Sequence, residues 1–153
     1  MFRSAFLITL FLISYPVLAL KLVNAGGQIS QNTLPEGYVF DVTVKTEMEL
    51  DVILNRAEKL QKLYNPQQHG RIAVVLHGRE LELFKKNGQL YNSEIVRKAR
   101  LLDSQNVIDI KACQTRMRSL NIGYDELPDF IEQVPLAPVE IRRLVEQQGF
   151  TKL

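Results

Sequence analysis

The sequence predicts an α/β domain, built on a mostly parallel sheet of about five strands with helices on both faces. Two observations predict it. From Tyr38 onward, short runs rich in β-branched and aromatic residues alternate with longer segments of helical period. The run "RIAVVLHG" at 71–78 contains a continuous apolar stretch, as a strand covered on both faces requires.

The elements follow in order. "YVFDVTV" (38–44) has strand composition. In the segment 46–64, Thr46 and Glu49 have capping-box spacing, and Leu50, Ile53, Leu54, Ala57, Leu60 and Tyr64 share one helical face. Asn65-Pro66 ends that helix, because the residue before proline avoids the helical region. After the strand at 71–78, "RELELFKK" reads as a short helix. Residues 93–102 read as a clearer one, with Ser93 as N-cap and Ile95, Val96, Ala99 and Leu102 facing inward. "NVIDIKA" (106–112) is the third strand. "QTRMRSLNIG" (114–123) is the next helix, with Gly123 as its C-terminal cap. "DFIEQV" (129–134) is the fourth strand. A helix over 137–149 carries Pro138 in its first turn and ends at Gly149, and "FTKL" adds a short last strand.

Before this domain the chain begins "MFRSAFLITLFLISYPVLALKLVNA", with Arg3, an apolar stretch, Pro16 and small residues in the order of a secretory signal. Cleavage fits after Ala19 or after Ala25. The second is preferred, because the polar stretch at 26–36 then becomes a flexible mature start. The expected organisation is a signal peptide at 1–25, the flexible start at 26–36 and the domain at 37–153. The expected location is periplasmic or secreted, with no stable membrane insertion after cleavage. The alternative is an uncleaved anchor, for which the stretch is a little short.

The formal charge of +2 comes from this leader. Without Arg3 and Lys21 the chain has 17 basic and 17 acidic side chains. Nucleic-acid binding relies on an excess of basic surface, and none is present. One cysteine and two histidines do not make a structural zinc site, and nothing in the sequence predicts a cofactor.

Parallel sheets bind ligands beyond the carboxyl ends of their strands. The residues at those ends include His77, Gly78 and Cys113, the one cysteine of the chain. At the start of a helix, Cys113 would meet free N–H groups of Gln114, Thr115 and Arg116. The guanidinium of Arg116 would further favour a thiolate. His77 could act as a base for that thiol or bind an anionic ligand, or it could cap a turn through Gly78. His69 lies in a polar loop and is read as inert.

The stretch "KACQTRMRSLNIGYDELPDFIEQVPLAPVEIRRLVEQQGF" carries a cysteine ending a strand, a helix, a Gly-containing turn, Leu-Pro, Val-Pro, Glu-Ile-x-x-Leu and Gly-aromatic. With "AVVLHG", it resembles the DsrE/DsrF-like family of small sulfur-handling proteins over residues 37–153. The resemblance implies a flavodoxin-like three-layer fold and a homo-oligomer, often a trimer or a dimer of trimers. It also implies a persulfide-carrying cysteine at Cys113. On that basis the expected function is an exported, thiol-dependent sulfur carrier in envelope metabolism, more carrier than turnover enzyme, with a sulfur-donor or acceptor protein as partner. Two alternatives stand beside it. One is a non-catalytic, oligomeric ligand-binding or interaction module. The other is a redox partner that uses Cys113 in an intermolecular disulfide. Exposure of the thiol separates the binding module from the other two.

Overall fold

The computed structural model describes residues 35–63 and 72–153. The expected signal peptide, the mature start as far as residue 34, the Asn65-Pro66 helix end and His69 lie outside the described residues.

Five strands form one parallel sheet in the order β4-β3-β2-β1-β5. They are β1 (Gly37–Val42), β2 (Ile72–Leu76), β3 (Ile108–Cys113), β4 (Ile131–Val134) and β5 (Phe150–Lys152). Four α-helices join them, α1 (Glu47–Leu63), α2 (Glu94–Ser104), α3 (Gln114–Ser119) and α4 (Ala137–Gln148), together with a 3-10 helix at Arg79–Phe84. The layered parallel architecture is the one the sequence predicts. Its wiring differs from the 2-1-3-4-5 order of flavodoxin itself. Here β1 to β4 are laid down in one direction, and the chain then crosses back to place β5 beside β1.

The two faces of the sheet have separate cores. On one, Tyr38, Phe40, Val42, Val74, Leu76, Ile108 and Ile110 pack with Leu50 and Leu54 of α1, Ile95 and Ala99 of α2, and Met117 of α3. On the other, Val39, Ala73, Val75 and Cys113 pack with Ala137, Ile141 and Leu144 of α4. Alternation along each strand sends successive side chains to the two faces. Burying each Leu or Ile in this way contributes about 1.5–3 kcal/mol.

Local signals account for most boundaries. The capping box forms at α1, where Glu49 N–H donates to Thr46 Oγ1 (3.2 Å) and Thr46 N–H donates to Glu49 Oε2 (3.1 Å). Gly149 ends α4 at φ 71°, in the left-handed region that glycine tolerates. Other boundaries differ from the sequence reading. Ser93 sits at the N-cap of α2, but its hydroxyl makes no capping bond. The segment after β2 tightens into a 3-10 helix. The ten-residue helix expected at 114–123 is six residues long, because Asn121, not Gly123, takes the left-handed conformation (φ 52°). Gly123 instead donates its N–H to Glu126 Oε2 at 2.6 Å. β4 starts at Ile131, after a turn closed by Ile131 N–H donating to the Pro128 carbonyl at 3.0 Å.

Candidate functional site

α1, α2 and α3 pack on one face of the sheet and α4 on the other. The chain therefore leaves β3 and β4, which are neighbours, toward opposite faces. A divergence of this kind between neighbouring strands is where parallel sheets commonly hold ligands. Cys113 ends β3 and pairs in register with Val134, the last residue of β4. Leu76 of β2 pairs with Ala112 of β3. The residues that follow them, His77 and Cys113, thus stand side by side at the carboxyl edge.

The side chain of Cys113 turns to the α4 face and is closed off. The residue is 3% exposed and lies in the apolar cluster of Val39, Val75, Ala137 and Ile141. It occupies the N-cap position of α3 without a side-chain capping bond. α3 has six residues, too few for the sustained dipole that the longer expected helix would have supplied. Two residues earlier on the same face, Lys111 is buried as well. Asp109 (3.3 Å), Glu140 (3.5 Å) and Glu132 surround its ammonium group. Burial pushes Lys111 down, but these carboxylates outweigh it and keep the group charged. With its charge compensated by the three acids, Lys111 offers little net field to the thiol.

His77 has the acid partner that the sequence did not reveal. Its Nε2 meets Asp41 Oδ1 of β1, and Lys152 Nζ of β5 donates to the other oxygen, Oδ2. Burial pushes the Asp41 carboxyl up, yet the bonds from Lys152 and His77 outweigh it and hold the group below its ordinary value. The His77 side chain remains 25% exposed. A carboxylate inside the otherwise apolar run "YVFDV" was the available signal for Asp41.

Gly78 is occupied by its own chain. Its N–H donates to Glu80 Oε1 at 2.6 Å, while Val44 N–H donates to Glu80 Oε2 at 3.0 Å. A Cβ at position 78 would lie 2.3 Å from Glu80 Oε2 and 2.8 Å from Thr43 Cα, so glycine is required for close approach. Glu80 is fully buried. Burial pushes its carboxyl above the ordinary value, against the opposing pull of the backbone N–H donors. The carboxylate ties the β1–α1 connection to the end of β2, a role the sequence reading missed.

The expected contacts on α3 are also partly engaged. Thr115 Oγ1 donates to the Pro135 carbonyl at 3.0 Å and accepts from Arg118 at 3.1 Å. Arg116 directs Nη1 to Ser119 Oγ at 3.4 Å, and its buried Nε has no hydrogen-bond partner. Gln114 is half-buried beside them. A separate open cleft of about 390 Å³ lies between α1 and α2, crossed by Lys98 Nζ bonding Asp51 (2.5 Å) and Asn55 (2.8 Å).

Among the described residues, no cluster of His, Cys, Asp and Glu is placed to hold a metal ion, and no helix is long and apolar enough to cross a membrane. No family model matches the chain, and no curated protein does. The fold is similar to that of a solved protein of unknown function, MTH1491 from Methanobacterium thermoautotrophicum. The TM-score is 0.63 and the identity 18%, over 76% of this chain and 98% of that one. At that identity the likeness is one of fold, and it establishes this chain as a parallel α/β domain.

Proposed function

We propose that this protein is an exported, DsrE-like ligand-binding or interaction module, working as a homo-oligomer with the carboxyl edge of its sheet as the binding end. The burial of Cys113 carries this reading. A thiol 3% exposed behind Ala137 and Ile141 packs as a small apolar residue. Gly78 and Thr115 are likewise bonded within the chain, which favours a preformed, closed edge. Oligomerisation has a narrower basis than the sequence suggests. Leu127, Ile131 and Val134 are buried in their own domain, which leaves Leu136 (41% exposed) and Val139 (57%) as apolar surface in and beside the 127–138 segment. Two measurements test the reading. Native protein purified without reductant is treated with an alkylating agent and weighed intact, and its mass in solution is read by light scattering. The module reading expects an unmodified thiol until unfolding and a mass above the monomer. A monomer at micromolar concentration would sink the oligomer. Sequencing the mature N-terminus tests export, with Gly26 the expected first residue.

A second reading, the thiol-dependent persulfide carrier, is supported by the His77–Asp41 pair standing beside Cys113. It expects one added sulfur atom on the protein after incubation with a sulfane-sulfur donor, removed by reductant and absent in Cys113→Ser.

A further inference from the structure

Helix α1 buries Leu50, Leu54 and Ala57, and its opposite side is not what a solvated helix requires. Met48, Val52, Arg56, Lys59 and Leu63 recur at helical spacing and form one stripe along that outer side. Met48 is 79% exposed, Val52 61% and Leu63 77%. An open hollow lined by Val52, Asn55, Arg56 and Lys59 lies at the middle of the stripe. The charges along the helix are sorted. Glu47, Glu49 and Asp51 occupy its first half without a basic residue, and Arg56, Lys59 and Lys62 occupy its second half, where Glu58 is the one acid. This order suits the helix dipole in a monomer, but the dipole gives no reason for three exposed apolar side chains in the same stripe.

We propose that the outer stripe of α1 is a two-fold interface, on which α1 of a second copy of this chain lies antiparallel. The contact rests on the oligomer reading and gives that assembly a surface. With 17 residues, α1 offers a contact about 25 Å long. When the axis passes beside Asn55 and Arg56, Met48 comes level with the partner's Leu63. Val52 comes level with the partner's Lys59, whose aliphatic stem covers it. Two-fold symmetry makes each pair twice. The charges then match on both flanks of the stripe. Glu49 lies on the same flank as Arg56, and it faces the partner's Arg56 and the partner's Lys59. Asp51 lies on the same flank as Lys62, and it faces the partner's Lys62. Opposed helix dipoles favour the same alignment, whereas a parallel one sets acid against acid and base against base.

Light scattering and sedimentation of the purified protein test the contact. Val52→Glu changes an exposed side chain, so helical content should stay as in the parent. Its assembly should fall to half the parent's mass, or dissociate at a concentration about tenfold or more higher. Lys59→Glu, which sets a carboxylate against the partner's Glu49, should act in the same direction. Cross-linking gives an independent readout. Residue 56 of both copies lies beside the axis, so Arg56→Cys combined with Cys113→Ala should form a covalent dimer under mild oxidation. Val52→Glu and Lys59→Glu proteins that keep the parent's mass, or an Arg56→Cys protein that stays uncrosslinked while the parent is oligomeric, overturn the α1 interface. The oligomer reading then stands on the surface around Leu136 and Val139. A parent that is a monomer at micromolar concentration overturns the oligomer reading itself, and the α1 contact with it.

Discussion

Thr115 donates its hydroxyl to the carbonyl of Pro135 across 3.0 Å, joining the start of α3 to the chain that leads into α4. The bond spans the point where β3 and β4 send the chain to opposite faces, just beyond the Cys113–Val134 pair. Thr115→Val removes it while keeping the β-branched shape. The expected cost is about 1 kcal/mol or less, since Thr115 is exposed and water can replace the donor. Unfolding should become correspondingly more frequent, so alkylation of Cys113 through the unfolded chain should be faster. Parallel denaturation and alkylation measurements check both effects.

Replacing the buried thiol tests its surroundings. Cys113→Ser places a hydroxyl in the apolar cluster beneath α4, which holds Val75, Ala137 and Ile141. A loss of about 1–3 kcal/mol in chemical denaturation is expected. Cys113→Ala should cost less, because it buries no polar group. Equal stability in all three proteins would place the side chain in solvent.

Glu80 gives the protein a pH dependence of a particular sign. Its carboxyl is pushed above the ordinary value of 4.5 by burial, so the folded chain holds that proton more tightly than the unfolded chain. Its contribution to stability is therefore fully present below 4.5 and falls as pH rises through the folded-state value. Glu80→Gln should flatten this part of the stability profile. Glu80→Ala leaves the Gly78 and Val44 N–H groups unpaired, and a loss of about 2–4 kcal/mol is expected.

Asp41 acts with the opposite sign. Its carboxyl is held below its ordinary 3.8, because bonds from Lys152 and His77 outweigh burial. Its contribution is present above 3.8 and is lost as pH falls through the folded-state value. Asp41→Asn should thus lower stability at neutral pH and shrink the acid-induced loss, as read from urea titrations at a series of pH values.

Gly78→Ala forces a methyl to within 2.3 Å of Glu80 Oε2 and 2.8 Å of Thr43 Cα. Relief requires movement of backbone, and the expected cost is about 1–3 kcal/mol. The melting temperature of the variant, with Gly88→Ala as a looser comparison, measures it.

The strands and the long helices were legible because their signals are local. The apolar run at 72–76, the Thr46–Glu49 capping box and the Gly149 stop depend on neighbours within a few residues. The short elements were less so. Whether α3 ends at Ser119 or runs on to Gly123 depends on Asn121 adopting φ 52°, which many sequences with glycine nearby would not choose. In the candidate site, His77 and Cys113 were visible as strand-end residues, but their partners were not. Asp41 reaches His77, and Glu80 reaches Val44, each across a separation of 36 residues. Such contacts exist only once β1 and β2 are paired, and no periodicity in the sequence encodes them. Burial of Cys113 depends in the same way on α4 crossing to the opposite face.

β5 is three residues long, yet it decides the character of β1. Gly37, Tyr38 and Val39 pair with Phe150, Thr151 and Lys152, which makes β1 an interior strand. Without that short cover, the "GYVFDV" strand would present a row of open backbone donors and acceptors flanked by Tyr38, Val39 and Phe40. That is a ready template for another chain to join the sheet. The closing segment therefore protects against aggregation out of proportion to its length. It also couples solubility to the completion of a pairing between opposite ends of the domain, one of the slowest kinds of contact for a chain to find.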